Sequence, residues 1–71
     1  MVKNELVLLG RAIARTRIER HLTQAEVGRR AGIHTTHVSR IERGLRNPRA
    51  STLWRLAEAL EVELGRLLER V

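Results

Sequence analysis

Apolar positions along this chain recur at intervals of three and four residues, the mark of helices with one buried side, and β-branched runs suited to strands are absent. The first stripe, Leu6, Leu9, Ile13 and Ile18, predicts a helix from about Asn4 to Arg20 with arginines on its other side. Gly10 lies within that helix and weakens it. Thr23 and Glu26 are spaced as a capping box, with Leu22 and Val27 placed to staple around it, so a second helix starts at Gln24 and stops at Gly32. A third runs from His34 or Thr35 to Arg43, with Gly44 as its stop. Leu45 to Arg49 is a loop built on Asn47-Pro48. A fourth helix then spans about Ala50 to Leu60 on Leu53, Leu56, Ala57 and Leu60, and a short last one covers about Leu64 to Arg70. The expectation is an all-α fold, a compact five-helix bundle forming a single domain over residues 1–71.

The middle of this pattern carries more information than its helicity. From Gln24 to Arg43, apolar residues fall at Val27, Ala31, Ile33, Val38 and Ile41, with small Gly28 and Gly32 between them. Val27 and Ala31 share one helix face, Ile33 fills the corner, and Val38 with Ile41 faces back from the next helix. Gly28 allows the two helices to cross closely. That is a helix-turn-helix over about residues 24–43. On the wheel of the second of these helices, Thr35, Thr36, Ser39, Arg40 and Arg43 occupy the arc opposite Val38 and Ile41, and no acidic residue interrupts them. Arginine grips guanine O6 and N7 with two hydrogen bonds, and threonine offers a hydroxyl together with a methyl for thymine. The arc therefore has the chemistry to read base edges in a major groove, with Arg40 as its foremost member.

Charge points the same way. The formal net charge is +6 and the sequence pI about 11.7, which favours a polyanionic partner through counterion release. Between Arg11 and Arg49 stand ten arginines against Glu19, Glu26 and Glu42, whereas the remaining positions nearly balance. The positive field thus belongs to the middle of the chain. The alternative origin of the arginine excess is a solvated surface with intrahelical pairs such as Arg15 with Glu19 and Glu26 with Arg30. For Arg11, Arg15 and Arg20 the two readings stay open.

The segments Leu9-Gly10-Arg11-Ala12-Ile13, Leu22-Thr23-Gln24-Ala25-Glu26-Val27, Ala31-Gly32-Ile33 and Val38-Ser39-Arg40-Ile41-Glu42-Arg43-Gly44 resemble the Cro and phage-repressor type of helix-turn-helix regulators, the Xre family. Arg17, Asn47-Pro48, Thr52-Leu53, Leu56-Ala57-Glu58-Ala59-Leu60 and Leu67-Leu68 extend the likeness over nearly the whole chain. The resemblance implies the phage-repressor DNA-binding fold and a transcriptional regulator that binds double-stranded DNA. Thr35, Thr36 and Arg40 then stand at base-reading positions, joined by Ser39 on the same arc. Gln24 would touch a phosphate or brace the first residues of the recognition helix. His34, His37, Arg43, Arg46 and Arg49 are the remaining expected phosphate contacts, and Arg17 would pair with Glu42 to lock the first helix to the recognition helix. Read without the resemblance, that pair is either a surface ion pair or a partly buried clamp. Three positions depart from the family pattern, one of them Gly28 in place of the usual alanine. His34 replaces the usual serine or threonine cap, which predicts a recognition helix less firmly closed by roughly 1 kcal/mol, and Glu61 replaces the glycine that often ends the fourth helix.

Other classes of function find less support. No cysteine is present, no serine has an activating context, and the carboxylates are scattered singly among arginines, so an enzyme is not expected. His34 and His37 are three apart, but no further ligand is placed to complete a metal site, and neither metal, cofactor nor small-molecule ligand is expected. The longest apolar run, Leu6 to Leu9, is too short for a membrane span, and no cleavage-site pattern follows the N-terminus, so the expected setting is cytoplasmic. Trp54 adjoins the apolar stripe of the fourth helix, either at the edge of the core or as an anchor for a second subunit. Val7, Leu8, Leu68 and Val71 exceed what five short helices bury, which favours a homodimer. With 71 residues and no second domain to sense a ligand, regulation would follow protein concentration, as for phage repressors or restriction-modification controller proteins. Two further readings are an antitoxin-like interaction module that binds DNA secondarily and a basic amphipathic protein of membrane surfaces; the short glycine-punctuated helices and the lack of surface aromatics disfavour the latter.

Overall fold

The computed structural model describes residues 2–71 and contains five helices: α1 (Val2–Glu19), α2 (Gln24–Ala31), α3 (Thr35–Glu42), α4 (Ala50–Ala59) and α5 (Leu64–Glu69). Among the described residues there is no strand. Each helix lies where the apolar spacing predicts, with boundaries shifted by two residues at most.

The helix ends show why the chain breaks where it does. At the start of α2 the Thr23 hydroxyl accepts from the Glu26 amide at 3.0 Å while the Glu26 carboxylate accepts from the Thr23 amide at 2.9 Å. Four helices then close in one way, with a residue one or two positions past the helix turned left-handed and the next amide reaching back to a carbonyl five residues earlier. The turned residues are His21, Gly32, Gly44 and Glu61, with φ of 57°, 73°, 74° and 58°. The returning bonds are Leu22 to Arg17, Ile33 to Gly28, Leu45 to Arg40 and Val62 to Ala57, all between 2.9 and 3.1 Å. Glu61 therefore takes the backbone role that glycine would otherwise fill. Two arginine side chains help close α4: Arg20 donates to the Glu61 carbonyl at 3.2 Å and Arg30 to that of Ala59 at 3.3 Å.

The core forms where the helices face one another, around the fully buried Ile13, Val27, Val38, Ile41, Leu56, Leu60 and Leu67. Each of these side chains contributes about 1.5–3 kcal/mol through apolar burial. Helix α3 packs on α2 and α1, while α4 packs on α2 and α5, and α5 also meets α1. At the crossing of α1 with α3 the backbones are nearly in contact. A Cβ on Gly10 would stand 2.4 Å from the carbonyl oxygens of both Ile41 and Glu42, so the glycine that weakens α1 is what admits α3 to its place. Gly28 has a similar part in the turn, where a Cβ would come within 2.6 Å of the Ile33 carbonyl oxygen.

Two sequence expectations fail on geometry. Ile18 does not join the apolar stripe of α1 but is 61% exposed. Five residues beyond Ile13 it stands about 140° around the helix, and Thr16 and Arg17 occupy the inward positions instead. Trp54 is 60% exposed, so the edge-of-core reading does not hold: Leu53, Leu56, Ala57 and Leu60 fill the inner face of α4 and leave the indole outside.

Candidate nucleic-acid interface

The candidate interface is built on α3 and the segment after it. Val38 and Ile41 are buried and fix the rotation of α3 about its axis. Thr35, Thr36, Arg40 and Arg43 are consequently exposed together, with Ser39 and His37 half-buried beside them. No hydrogen bond within the described residues engages the side chains of Thr35, Thr36, Ser39 or Arg40. Arg43 donates weakly to the Ser39 carbonyl at 3.4 Å. Arg46 and Arg49 are exposed on the loop that leads into α4, around buried Pro48.

The first turn of α3 corrects the expectation of a weak cap. His34 has extended backbone at the N-cap position, and its Nδ1 accepts from the Thr36 amide at 3.1 Å. A neutral imidazole nitrogen thus does what a serine or threonine oxygen does elsewhere. That bond requires Nδ1 to be unprotonated, which leaves Nε2 as the hydrogen-bearing nitrogen of an exposed ring.

The last turn of α3 is held more strongly. Glu42 is the only acidic residue of α3, and its side chain is 5% exposed. Arg17 from α1 grips it with two hydrogen bonds, Nε to Oε2 at 2.7 Å and Nη2 to Oε1 at 3.0 Å, and spends a third on the Leu22 carbonyl at 2.9 Å. Gln24 at the start of α2 adds a bond from Nε2 to Oε1 of the same carboxylate at 2.9 Å. Gln24 therefore reaches the last residue of α3 and not its first residues, because α2 begins beside the end of α3. Three helices meet in this one polar cluster. Its electrostatic effect is as important as its mechanical one: the sole negative charge of α3 is turned inward and compensated, so the exposed arc presents positive charge and hydroxyls.

Sequence reasoning missed a second polar connection, between α5 and α1. Arg70 donates to the Glu19 carboxylate at 2.7 and 2.8 Å and to the buried Thr16 hydroxyl at 2.8 Å, which itself donates to the Ala12 carbonyl. The Arg70 guanidinium holds the Glu19 carboxyl below its ordinary value, and Glu19 in turn raises Arg70. Residues 16 and 70 are too far apart in sequence for any local pattern to relate them. Arg20, which composition alone left open for DNA, is tied instead to the end of α4, and so is Arg30.

A family model described as helix-turn-helix matches residues 13–67. The chain belongs to the helix-turn-helix family of the Xre type. This places it among DNA-binding transcriptional regulators. Over 55 residues this helix-turn-helix protein is 49% identical to y4dJ of Sinorhizobium fredii, an uncharacterized HTH-type transcriptional regulator, covering 78% of this chain and 71% of the relative. Its fold is shared with the restriction-modification controller protein C.AhdI from Aeromonas hydrophila, with a TM-score of 0.88 and 30% identity over 90% of this chain and 97% of that one. The clp gene regulator ClgR from Corynebacterium glutamicum aligns with a TM-score of 0.89 at 20% identity, over 99% of this chain and 71% of ClgR, a likeness of fold alone. Among the described residues no helix is long and apolar enough to cross a membrane.

Proposed function

We propose that this helix-turn-helix protein regulates transcription by placing α3 in the major groove of a specific double-stranded site, with Thr35, Thr36, Ser39 and Arg40 against base edges. The observation that carries the proposal is the acid-free arc of α3, exposed and unengaged while Glu42 is drawn into the Arg17 and Gln24 cluster. Arg43, Arg46 and Arg49 supply phosphate contacts, which set affinity and register without sequence choice. His34 joins them through its free Nε2–H, and His37 lies on the flank of the same helix. Gln24 holds the recognition helix through Glu42 while its position at the start of α2 still faces the backbone side of a groove, where amides favour phosphate.

Two copies on an inverted repeat would set α3 of each in successive major grooves about 34 Å apart. A controller role in which the protein's own concentration sets its occupancy is the simplest regulatory reading. The proposal has no catalytic step, and a DNA partner fits a cytoplasmic setting.

Selection of bound sequences from random duplexes tests the reading, followed by titration of Arg40→Ala on the selected site and on its single-base variants. Arg40→Ala is expected to lose roughly 1–3 kcal/mol of discrimination at one base position. Enrichment of no sequence, or equal losses for Arg40→Ala on the selected and on random DNA, would sink the base-reading assignment. A chain that instead recovers a stoichiometric protein partner and binds DNA only in a sequence-blind, salt-labile way is an interaction module.

A further inference from the structure

The turn that follows α3 carries the most exposed large apolar side chain among the described residues. Leu45 is 66% exposed and stands between the exposed Arg43 and Arg46. A lone apolar residue in water calls for no explanation in itself; here its place carries the inference. Gly44, with φ of 74°, is the inward residue of the turn, since a Cβ on it would stand 2.8 Å from Val7 Cγ2 of α1. The Leu45 amide donates to the Arg40 carbonyl at 2.9 Å, and Pro48 is buried three residues further on. Backbone thus anchors the turn on both sides of Leu45, which cannot fold inward without undoing the closure of α3. Nor is Leu45 among the residues that pack on the core.

We propose that Leu45 contacts DNA in a different way from its neighbours, by packing on the deoxyribose between the phosphates that Arg43 and Arg46 engage; this rests on the DNA-binding reading above. Three residues of chain span at most about 11 Å, so the two arginines reach one short stretch of backbone and the leucine between them is covered by it. Leu45 lies beyond the end of α3 and off the arc of Thr36 and Arg40, so the sugar and not a base edge meets it. Sugar and phosphate contacts alike position a protein without reading sequence, but they draw on different forces. Guanidinium on phosphate releases counterions and weakens with salt, whereas burial of a leucine against sugar C–H groups is an apolar contribution that does not. The same contact sets a preference at the sugar 2′ carbon. Deoxyribose presents only hydrogens there, while ribose presents a hydroxyl, which Leu45 would bury without a partner.

Equilibrium binding to duplex DNA over a range of salt tests the assignment. Leu45→Ala is expected to weaken binding to the selected site and to random duplexes alike, by about five- to tenfold, with the slope of log K against log salt unchanged. Leu45→Met keeps the natural affinity, whereas Leu45→Gln, similar in size but polar, does not. Thermal unfolding midpoints of all three stay where they were, since the side chain is exposed and the bond that closes the turn is made by backbone. A scan of single ribonucleotides along the selected duplex then locates the sugar. One position weakens the natural protein and leaves Leu45→Ala indifferent, a coupling that a shared contact produces. Leu45→Ala that binds as tightly as the natural protein overturns the contact, and so does a loss accompanied by a changed salt slope, which would act through the arginines. A loss confined to one thymine and abolished by deoxyuridine in its place moves the side chain to a base methyl and overturns the sugar. Failure to enrich any sequence removes base reading by Arg40 but leaves this test in force on random duplexes, while a chain that binds no duplex removes both.

Discussion

His21 and Glu61 hold left-handed backbone that an L side chain disfavours by roughly 1 kcal/mol. His21→Gly is therefore expected to raise stability by up to about 1 kcal/mol, seen as a higher midpoint in thermal or urea unfolding; an unchanged or lower midpoint would show that the imidazole compensates in the native state. Glu42 lies at the opposite extreme, because three side-chain hydrogen bonds converge on one nearly buried carboxylate. Glu42→Ala leaves Arg17 largely buried and without its anion, and should cost about 3 kcal/mol in denaturant unfolding. A loss below about 1 kcal/mol would reduce the cluster to an ordinary surface pair. Neither feature has a composition signal. Glutamate at the end of α4 reads as a departure from pattern until its φ is known, and Gln24 can be assigned to Glu42 only once α2 and α3 are placed in space.

At the scale of elements the sequence was informative because each helix carries its own start, face and stop. Thr23 with Glu26, Gly32 and Gly44 all mark boundaries that the structure keeps. The cap of α3 was harder to read, since histidine is a poor cap on average and only its rotamer here makes Nδ1 an acceptor. His34→Ala is expected to destabilise the protein by about 1 kcal/mol, and His34→Asp to recover most of that in thermal unfolding without DNA. The capping box of α2 brings a pH dependence. The Glu26 carboxyl is held below its ordinary value of 4.5, first by the Thr23 amide and then by the Thr23 hydroxyl. A lowered folded value means that this contribution is fully present above about pH 4.5 and is lost as pH falls through the folded value. Glu19, lowered mainly by its hydrogen bond with Arg70, works in the same direction. Unfolding midpoints measured from pH 6 to about pH 3 should fall for the natural sequence and fall less steeply for Glu26→Gln; parallel curves would remove the capping box from the acid response.

Across the whole molecule, charge and topology divide the surface by task. The arginines of the middle segment leave α3 and the following loop positive, while the α4–α5 face is apolar and lined by three glutamates. Affinity for DNA should therefore fall steeply with salt, and Arg46→Ala should weaken all sequences alike while reducing the slope of log K against log salt by about one. An unchanged slope would remove Arg46 from the phosphate contacts. The bundle itself was legible from 3.6-residue periodicity. The tertiary neighbours of Arg20, Arg30 and Arg70 were not, because the carbonyls and carboxylate they reach lie 29 to 51 residues away. An arginine that closes a helix and one that awaits a phosphate look the same in one dimension.

That the side chains of Thr35, Thr36, Ser39 and Arg40 make no hydrogen bond among the described residues has a consequence for redesign. What holds α3 in place lies on its other side, in Val38, Ile41 and the Glu42 cluster. The four outward positions are accordingly interchangeable letters on a rigid typebar: exchanging them should rewrite the preferred operator while leaving the melting curve of the free protein where it was.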